Sequence, residues 1–409
     1  MATDLAVQPA PGLFTAFRHR DFRLLVAGQT FSTLGDLFFA VALPFLVLRS
    51  GGGVGELSLT LTVMGAARLA STPIGGMVTD RLSPRTAMIV SDVARAVILV
   101  ALAWLGSAGQ IPLAPLLTVA ALLGVFEGVY LPAYRAITPS VLPKEELQKG
   151  NSVGEASYTV AAIAGPFCAG FAVAWFSVSA VILLDAATFV ISAITVAAMR
   201  RVVAVPEEEE EQGDGAGFWA FFRRSALMRV VLLMTGMVAI TATGTIAVAL
   251  PLLAESRFSD GAQGYGIFLG VHSIGMLAGA LGAGALAGSK RRGYISLALL
   301  TGHALALISL PQLVDTPVAM FAVISVLGLV DGALGILVMT LLQQIAPPGV
   351  LGRVMAAFSV VGVGSYPLAV AIAGVVVSQW GVGPMFLFGG VGLLFVAAFG
   401  LTQRPVRSI

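Results

Sequence analysis

Residues 76 to 85 read Gly76-Met77-Val78-Thr79-Asp80-Arg81-Leu82-Ser83-Pro84-Arg85. An apolar run, 57 to 79, leads into this stretch, and another, 86 to 107, leads out of it. A bilayer's hydrocarbon core of about 30 Å takes roughly 20 apolar residues to cross as a helix. Each run is long enough, and the short basic segment between them is the turn that sends the chain back. Lipid satisfies no backbone polar group, so a spanning segment closes its hydrogen bonds as a helix or within a barrel. Barrel strands alternate over roughly ten residues, whereas these runs are long, unbroken and rich in Ala, Leu, Val and Gly. The segments are therefore helices.

Extended outward, the same reading gives twelve crossings. They cover 22 to 48, 57 to 79, 86 to 107, 113 to 137, 151 to 175 and 178 to 199, then 227 to 254, 262 to 288, 293 to 313, 317 to 343, 353 to 378 and 383 to 403. Composition agrees, with 57% hydrophobic and 11% charged residues, against about a quarter charged in soluble domains. The fold class expected is an all-α membrane protein.

Lys and Arg accumulate in cytoplasmic loops. Sorted by alternate loops, the 23 basic residues fall on one side except for Arg49 and Arg257 on the other, and Arg68 and Arg95 within crossings. Both termini are expected in the cytoplasm and the protein in a bacterial inner (cell) membrane. Met1 to Leu13 has no charged lead into an apolar stretch and no small-residue cleavage site, so no signal peptide is expected. Cys168 is the only cysteine, which rules out an intrachain disulfide or a thiolate metal cluster. With no metal-ligand constellation, no cofactor is expected, and nothing suggests an enzyme. A net charge of +2 gives no sign of a nucleic-acid partner. A monomer in the lipid bilayer is expected.

The chain repeats after roughly 204 to 208 residues. Ala40-Val41-Ala42-Leu43-Pro44 returns as Ala247-Val248-Ala249-Leu250-Pro251, and Leu123-Gly124-Val125-Phe126-Glu127-Gly128 as Leu327-Gly328-Leu329-Val330-Asp331-Gly332. An even number of crossings per repeat keeps the halves parallel, related by an axis along the membrane normal. The expected domains are a six-helix bundle over 1–199, a cytoplasmic linker over 200–226 and a second six-helix bundle over 227–409. In the linker, Glu207 to Glu211 reads as a solvated hinge, and Phe218 to Arg224 as a short interfacial helix.

The segment Gly76 to Arg85 resembles the signature loop of the major facilitator superfamily. The resemblance implies a conformational latch made by Gly76, Asp80, Arg81 and Arg85, with Ser83 standing where that family usually has Gly. The second-half counterpart, Gly284 to Lys290, lacks the acid. In the fifth crossing, Gly165, Pro166 and Gly170 resemble the family's antiporter motif, although Ala161 and Ala169 replace two of its glycines. In the fourth, Gly124 stands where drug exporters carry an arginine. That departure is similar to the enterobactin-exporter and macrolide-efflux branch. The fold implied is that of a facilitator with two pseudo-symmetric bundles.

Ionisable side chains at mid-membrane cost about 2.5–3.5 kcal/mol on insertion scales and normally face a cavity or a partner. Asp36, Arg68 and Glu127 are central in their crossings and are the candidates for proton coupling. Two acids against one base leave a carboxylate free to titrate, while a static ion pair between Arg68 and either acid is the alternative. Gln29, Glu155, Tyr158, His272 and Asp331 are candidates for the substrate cavity, with structural use equally open to them and favoured for His272. Asp185 adds a further polar group, and Asp92 and Arg95, three residues apart, read as a local structural pair near the inner surface. The expected function is alternating-access export of a small amphipathic compound such as a drug, macrolide, siderophore or secondary metabolite, coupled to protons. That function implies efflux and antibiotic resistance. A proton-coupled importer is the alternative, and a non-transporting membrane sensor or a channel is the alternative of another class.

Overall fold

A computed structural model describes residues 13–107, 109–200, 215–287, 289, 291–313 and 316–408. The acidic run Glu207–Glu211 lies outside the described residues, as do Gly288 and Lys290 of the second-half turn. Every described span is helical. In the first half these are α1 (Arg20–Arg49), α2 (Val54–Leu82), α3 (Pro84–Ser107), α4 (Leu113–Val141), α5 (Leu147–Trp175) and α6 (Val178–Ala197). A ten-residue helix, α7 (Gly215–Arg224), stands in the linker where an interfacial helix was expected. The second half has α8 (Ala226–Arg257), α9 (Gly261–Ala287), α10 (Arg292–Ser309), α11 (Pro317–Ile345), α12 (Leu351–Trp380) and α13 (Val382–Thr402).

Eleven of these helices are long and apolar enough to cross a membrane. The twelfth, α2, has 29 residues and measures about 44 Å at 1.5 Å per residue. It is less apolar because Arg68, Asp80 and Arg81 lie on it. The predicted spans hold with ends moved by a few residues, since caps rather than apolar runs set where a helix stops. Ser177 and Ser225 cap α6 and α8 by accepting from the backbone N–H of Ala180 and Met228.

Two of the crossings are irregular. In α8 the chain widens into π-turns over Ala239–Thr243 and Thr245–Ala249, just before Pro251. In α12 the helix breaks at Ser365, ahead of Pro367. A proline has no N–H to give to the preceding turn, and two residues earlier Ser365 donates both its backbone N–H and its hydroxyl, at 3.3 and 2.6 Å, to the Val361 carbonyl.

The packing repeats between halves. Helix α2 lies along α4 as α9 lies along α11, and α3 packs on α6 as α10 packs on α13. Two seams join the halves, α5 against α9 and α2 against α12. At the end where α1 stops and α9 starts, here called distal, one apolar core runs through both halves, including Phe45, Leu46, Leu253, Ala262 and Phe268. At the opposite, proximal end the cores are separate. Leu25, Met88 and Ile137 belong to the first half, and Met228, Leu342 and Val354 to the second, with Phe218 and Phe222 of α7 against the latter. The halves share one core distally and have separate cores proximally.

Candidate transport site

The proximal cavity measures about 780 Å³ and is walled by α1, α2, α3, α4 and α5. Gln29, Glu155 and Tyr158, expected in a substrate cavity, line it. Tyr130 donates its hydroxyl to Gln29 Oε1 at 2.9 Å, and Gln29 Nε2 donates to Thr33 Oγ1 at 3.1 Å. The amide is thereby held across α1 and α4.

At the cavity's inner limit stand Asp36, Arg68, Arg95 and Glu127. The same four residues also line a second chamber of about 260 Å³ on their distal side. That chamber is mostly apolar, walled by Phe39, Leu61, Met64 and Phe189, and the second half closes it with Tyr265 and Tyr366. A layer of charge thus separates an open, polar cavity from an apolar pocket between the halves.

Within that layer Arg68 Nη1 and Glu127 Oε1 are 2.8 Å apart. Asp36 is not Arg68's partner. It meets Arg95, which donates to Asp36 Oδ1 at 3.4 Å and to Asp92 Oδ1 at 2.7 Å. The guanidinium lies 4.6 Å from the centre of the Tyr130 ring and 4.0 Å from that of Phe189, a stacked setting suited to a planar cation. Asp92 is completed by the Ser192 hydroxyl, which donates to Oδ2 at 2.7 Å.

The local Asp92–Arg95 pair is therefore real, but its placement near the inner surface is corrected. Arg95 reaches the central layer, because packing of α3 against α4 and α6 aims its long side chain inward. Its position midway along an apolar run was the available signal. Asp185 is 1% exposed, has one carboxylate oxygen without a hydrogen-bond partner, and borders the distal chamber.

Two further cavity candidates stand elsewhere. His272 and Asp331 are absent from the walls of both chambers; they meet each other inside the second half, where His303 joins them. His303 was missed because a single histidine in an apolar run carries no spacing signal.

The turn between α2 and α3 holds Arg85 against the end of α6. Arg85 Nε donates to the Val196 carbonyl at 3.1 Å, and Nη2 donates to the Ala197 carbonyl. Asp80 and Arg81 are exposed and Gly76 is half-buried. Ser83 has φ +88°, the one non-glycine residue with positive φ among those described.

Gly165 packs on Leu37 of α1. Gly170 lies in the α5–α9 seam, where an added β-carbon would stand 2.9 Å from the Ala262 carbonyl oxygen and 3.1 Å from the Gly266 Cα. Pro166 shares that seam, its carbonyl facing Gly266.

The sequence model of the Major Facilitator Superfamily matches residues 25–369. The chain is 24% identical over 402 residues to the MFS-type transporter y4rN of Sinorhizobium fredii, covering 97% of this chain and 95% of that protein. It is 25% identical over 390 residues to the enterobactin exporter EntS of Salmonella typhimurium, covering 94% and 90%. A bacterial homologue of the iron transporter ferroportin, solved in its inward-facing state, superposes with a TM-score of 0.72 at 14% identity, covering 94% of this chain and 98% of that one. A POT family transporter in complex with 5-aminolevulinic acid gives 0.73 at 13% identity, covering 94% and 96%. At such identities the structures speak for fold alone, and the sequence relatives are transporters rather than enzymes. Twelve helices in two related bundles, a chamber walled by both of them and a family match over most of the length lead to one conclusion: this chain is a multi-pass membrane transporter and belongs to the Major Facilitator Superfamily.

Proposed function

We propose that this protein exports a small amphipathic compound from a bacterial cytoplasm in exchange for protons, with Asp36 as the residue that carries the proton. One observation carries the reading: the Asp36, Arg68, Arg95 and Glu127 layer forms the shared wall of the polar proximal cavity and the apolar distal chamber. A cavity of a few hundred cubic ångströms suits a drug-sized molecule. Its polar part would meet the charged layer while its apolar part fills the chamber.

Asp36 is favoured over Glu127 by the pairing. Glu127 has its own arginine at 2.8 Å, whereas Asp36 shares Arg95 with a closer competitor, Asp92, and its side chain is 48% exposed to the cavity. Protonation of Asp36 frees it from Arg95 and leaves the Arg95–Asp92 pair intact. That asymmetry lets a proton alter the wall of the site without unmaking it. The acting bodies in this proposal are residues 1–199 and 227–409, with 200–226 as the linker between them. They rock about the cavity while the Gly76, Asp80, Arg81 and Arg85 turn latches the proximal end.

The bias of basic residues supports cytoplasmic termini, so that the proximal opening faces inward. Export is supported by the relative named as an enterobactin exporter and by the resemblance of Gly165, Pro166 and Gly170 to an antiporter motif, Pro166 and Gly170 lying in the α5–α9 seam. The test is proton-driven uptake into everted vesicles, using a panel of macrolides, catecholate siderophores and lipophilic dyes. Wild type should accumulate at least one of them, Asp36→Asn should lose gradient-driven accumulation, and Glu127→Gln should keep the larger part of it. A deletion strain should become more susceptible to the same compound. Accumulation in right-side-out vesicles instead would make the protein an importer, and full drive in Asp36→Asn would remove that residue from the coupling.

A further inference from the structure

We infer that His272, His303 and Asp331 form a second proton-binding site, held wholly within the second half and loaded by one proton. His272 comes from α9, His303 from α10 and Asp331 from α11. His272 Nε2 lies 3.0 Å from Asp331 Oδ2, and His303 Nδ1 lies 3.2 Å from Asp331 Oδ1. Each carboxylate oxygen therefore takes one imidazole. Two of the chain's three histidines converge on a single acid, and the third, His19, pairs with Glu146 at the proximal end.

The surroundings fix the charge this cluster favours. Leu269, Leu307, Ile324, Leu327 and Phe386 line a small void beside both imidazoles. Across α8 to α13 the remaining Asp, Glu, Lys and Arg, namely Arg229, Glu255, Arg257, Arg292 and Arg353, lie at helix ends. The tyrosines are elsewhere as well: Tyr265 and Tyr366 line the distal chamber and Tyr294 opens α10. Two neutral imidazoles around a carboxylate leave a bare negative charge in this apolar setting, which is costly without a partner. One added proton makes an imidazolium–carboxylate pair with no net charge, and a second would leave an excess positive charge. Because a neutral imidazole already donates one N–H, the same contacts serve the empty and the loaded state. The Asp331 and His272 side chains are 30% and 20% exposed while His303 is 4% exposed. Asp331 and His272 are thus the accessible members of the cluster and His303 its buried one.

Comparison with the first half shows why this site can titrate where its counterpart cannot. Asp331 repeats Glu127, but Glu127 is paired with an arginine, which does not release its proton. The helices pack in the same register in both halves, and only the partner side chain is displaced by one turn. An added β-carbon on Gly124 would stand 3.0 Å from the Arg68 backbone nitrogen, and one on Gly328 would stand 3.0 Å from that of Met276. His272 thus occupies a position one turn before the repeat of Arg68. The second half keeps the acid and exchanges the permanent cation for imidazoles, the side chains that change charge near neutrality.

The test needs neither a substrate nor a gradient, so it stands or falls apart from the export reading. Full-length protein carrying His19→Gln, labelled with nitrogen-15 in its histidines and held in lipid nanodiscs, leaves the cluster as the only source of imidazole signal. We expect one imidazolium, with both ring nitrogens protonated, to persist beside one neutral ring. Asp331→Asn should abolish that persistence and Asp331→Glu should restore it. Should Asp331→Asn not fold, His303→Gln should keep a single imidazolium, now on His272. Two neutral rings from about pH 6 upward, or an imidazolium indifferent to Asp331→Asn, overturns the assignment.

Discussion

Arg95 is 2% exposed and is held by Asp92, by Asp36 and by two aromatic faces, while its Nε has no hydrogen-bond partner. Its removal leaves Asp92, fully buried, with no cation. Breaking one side of a buried pair costs about 3–5 kcal/mol. Arg95→Met should therefore lower the thermal midpoint of the detergent-solubilised protein sharply, and Arg95→Met with Asp92→Leu should recover much of the loss. Arg95→Lys keeps the charge but not the planar fork or the ring stacking and should fall between. A midpoint unmoved by Arg95→Met would show that the pair contributes nothing to stability. Ser83 presents the opposite case. Its φ of +88° suits glycine, and strain of this kind costs about 1–3 kcal/mol. Its hydroxyl caps α3 by accepting from the Thr86 N–H at 3.3 Å, a role whose loss to glycine costs only a few tenths of a kcal/mol. Ser83→Gly should raise the midpoint, and a lower one would mean the cap outweighs the strain.

Among the helices, the α5–α9 seam sets how closely the halves meet. Gly170 and Gly266 lie backbone to backbone, with Pro166 a turn away. A side chain here must push α5 from α9, since its nearest obstacles are backbone atoms that cannot rotate aside. Gly170→Val should weaken the distal closure while leaving each bundle folded. In a Cys168→Ser background, a cysteine replacing Phe45 in the distal core should label faster when Gly170→Val is added, and transport should fall. Unchanged labelling would mean the seam tolerates the methyl groups. The helices themselves were legible in the sequence, because apolar runs of the length a bilayer demands allow few other readings. The break at Ser365 and the π-turns of α8 were not, since a proline in a membrane helix does not declare whether its turn bends, widens or breaks. The pairings were partly legible. Asp92 and Arg95 are neighbours on one helix face, so spacing gave their contact. The reach of Arg95 to Asp36 and the meeting of His303 with Asp331 depend on how α3 approaches α1 and α10 approaches α11, which no spacing encodes.

For the molecule as a whole, the contrast between one fused distal core and separate proximal cores means that this state is held mainly at one end. Apolar contact along α1, α8 and the seams supplies most of that hold, and among the described residues one ion pair spans the halves there, Arg49 Nη2 to Asp260 Oδ1 at 3.3 Å. Asp260 also starts α9, accepting from the Ala262 and Gln263 N–H groups, so testing the ion pair through Asp260 would disturb the helix as well. Arg49 is the cleaner site. An exposed pair is worth about 1 kcal/mol at most, so Arg49→Gln should raise the distal-open population by no more than roughly fivefold. Arg49→Glu sets like charges face to face and should raise it further. Spin labels on the distal ends of α1 and α9, read by pulsed distance measurements, would resolve the two populations. Salt near 1 M shortens the screening length to about 3 Å and should bring the two variants together, because charge is what separates them. If Arg49→Glu leaves the distances where wild type has them at low salt, the distal closure rests on apolar packing alone.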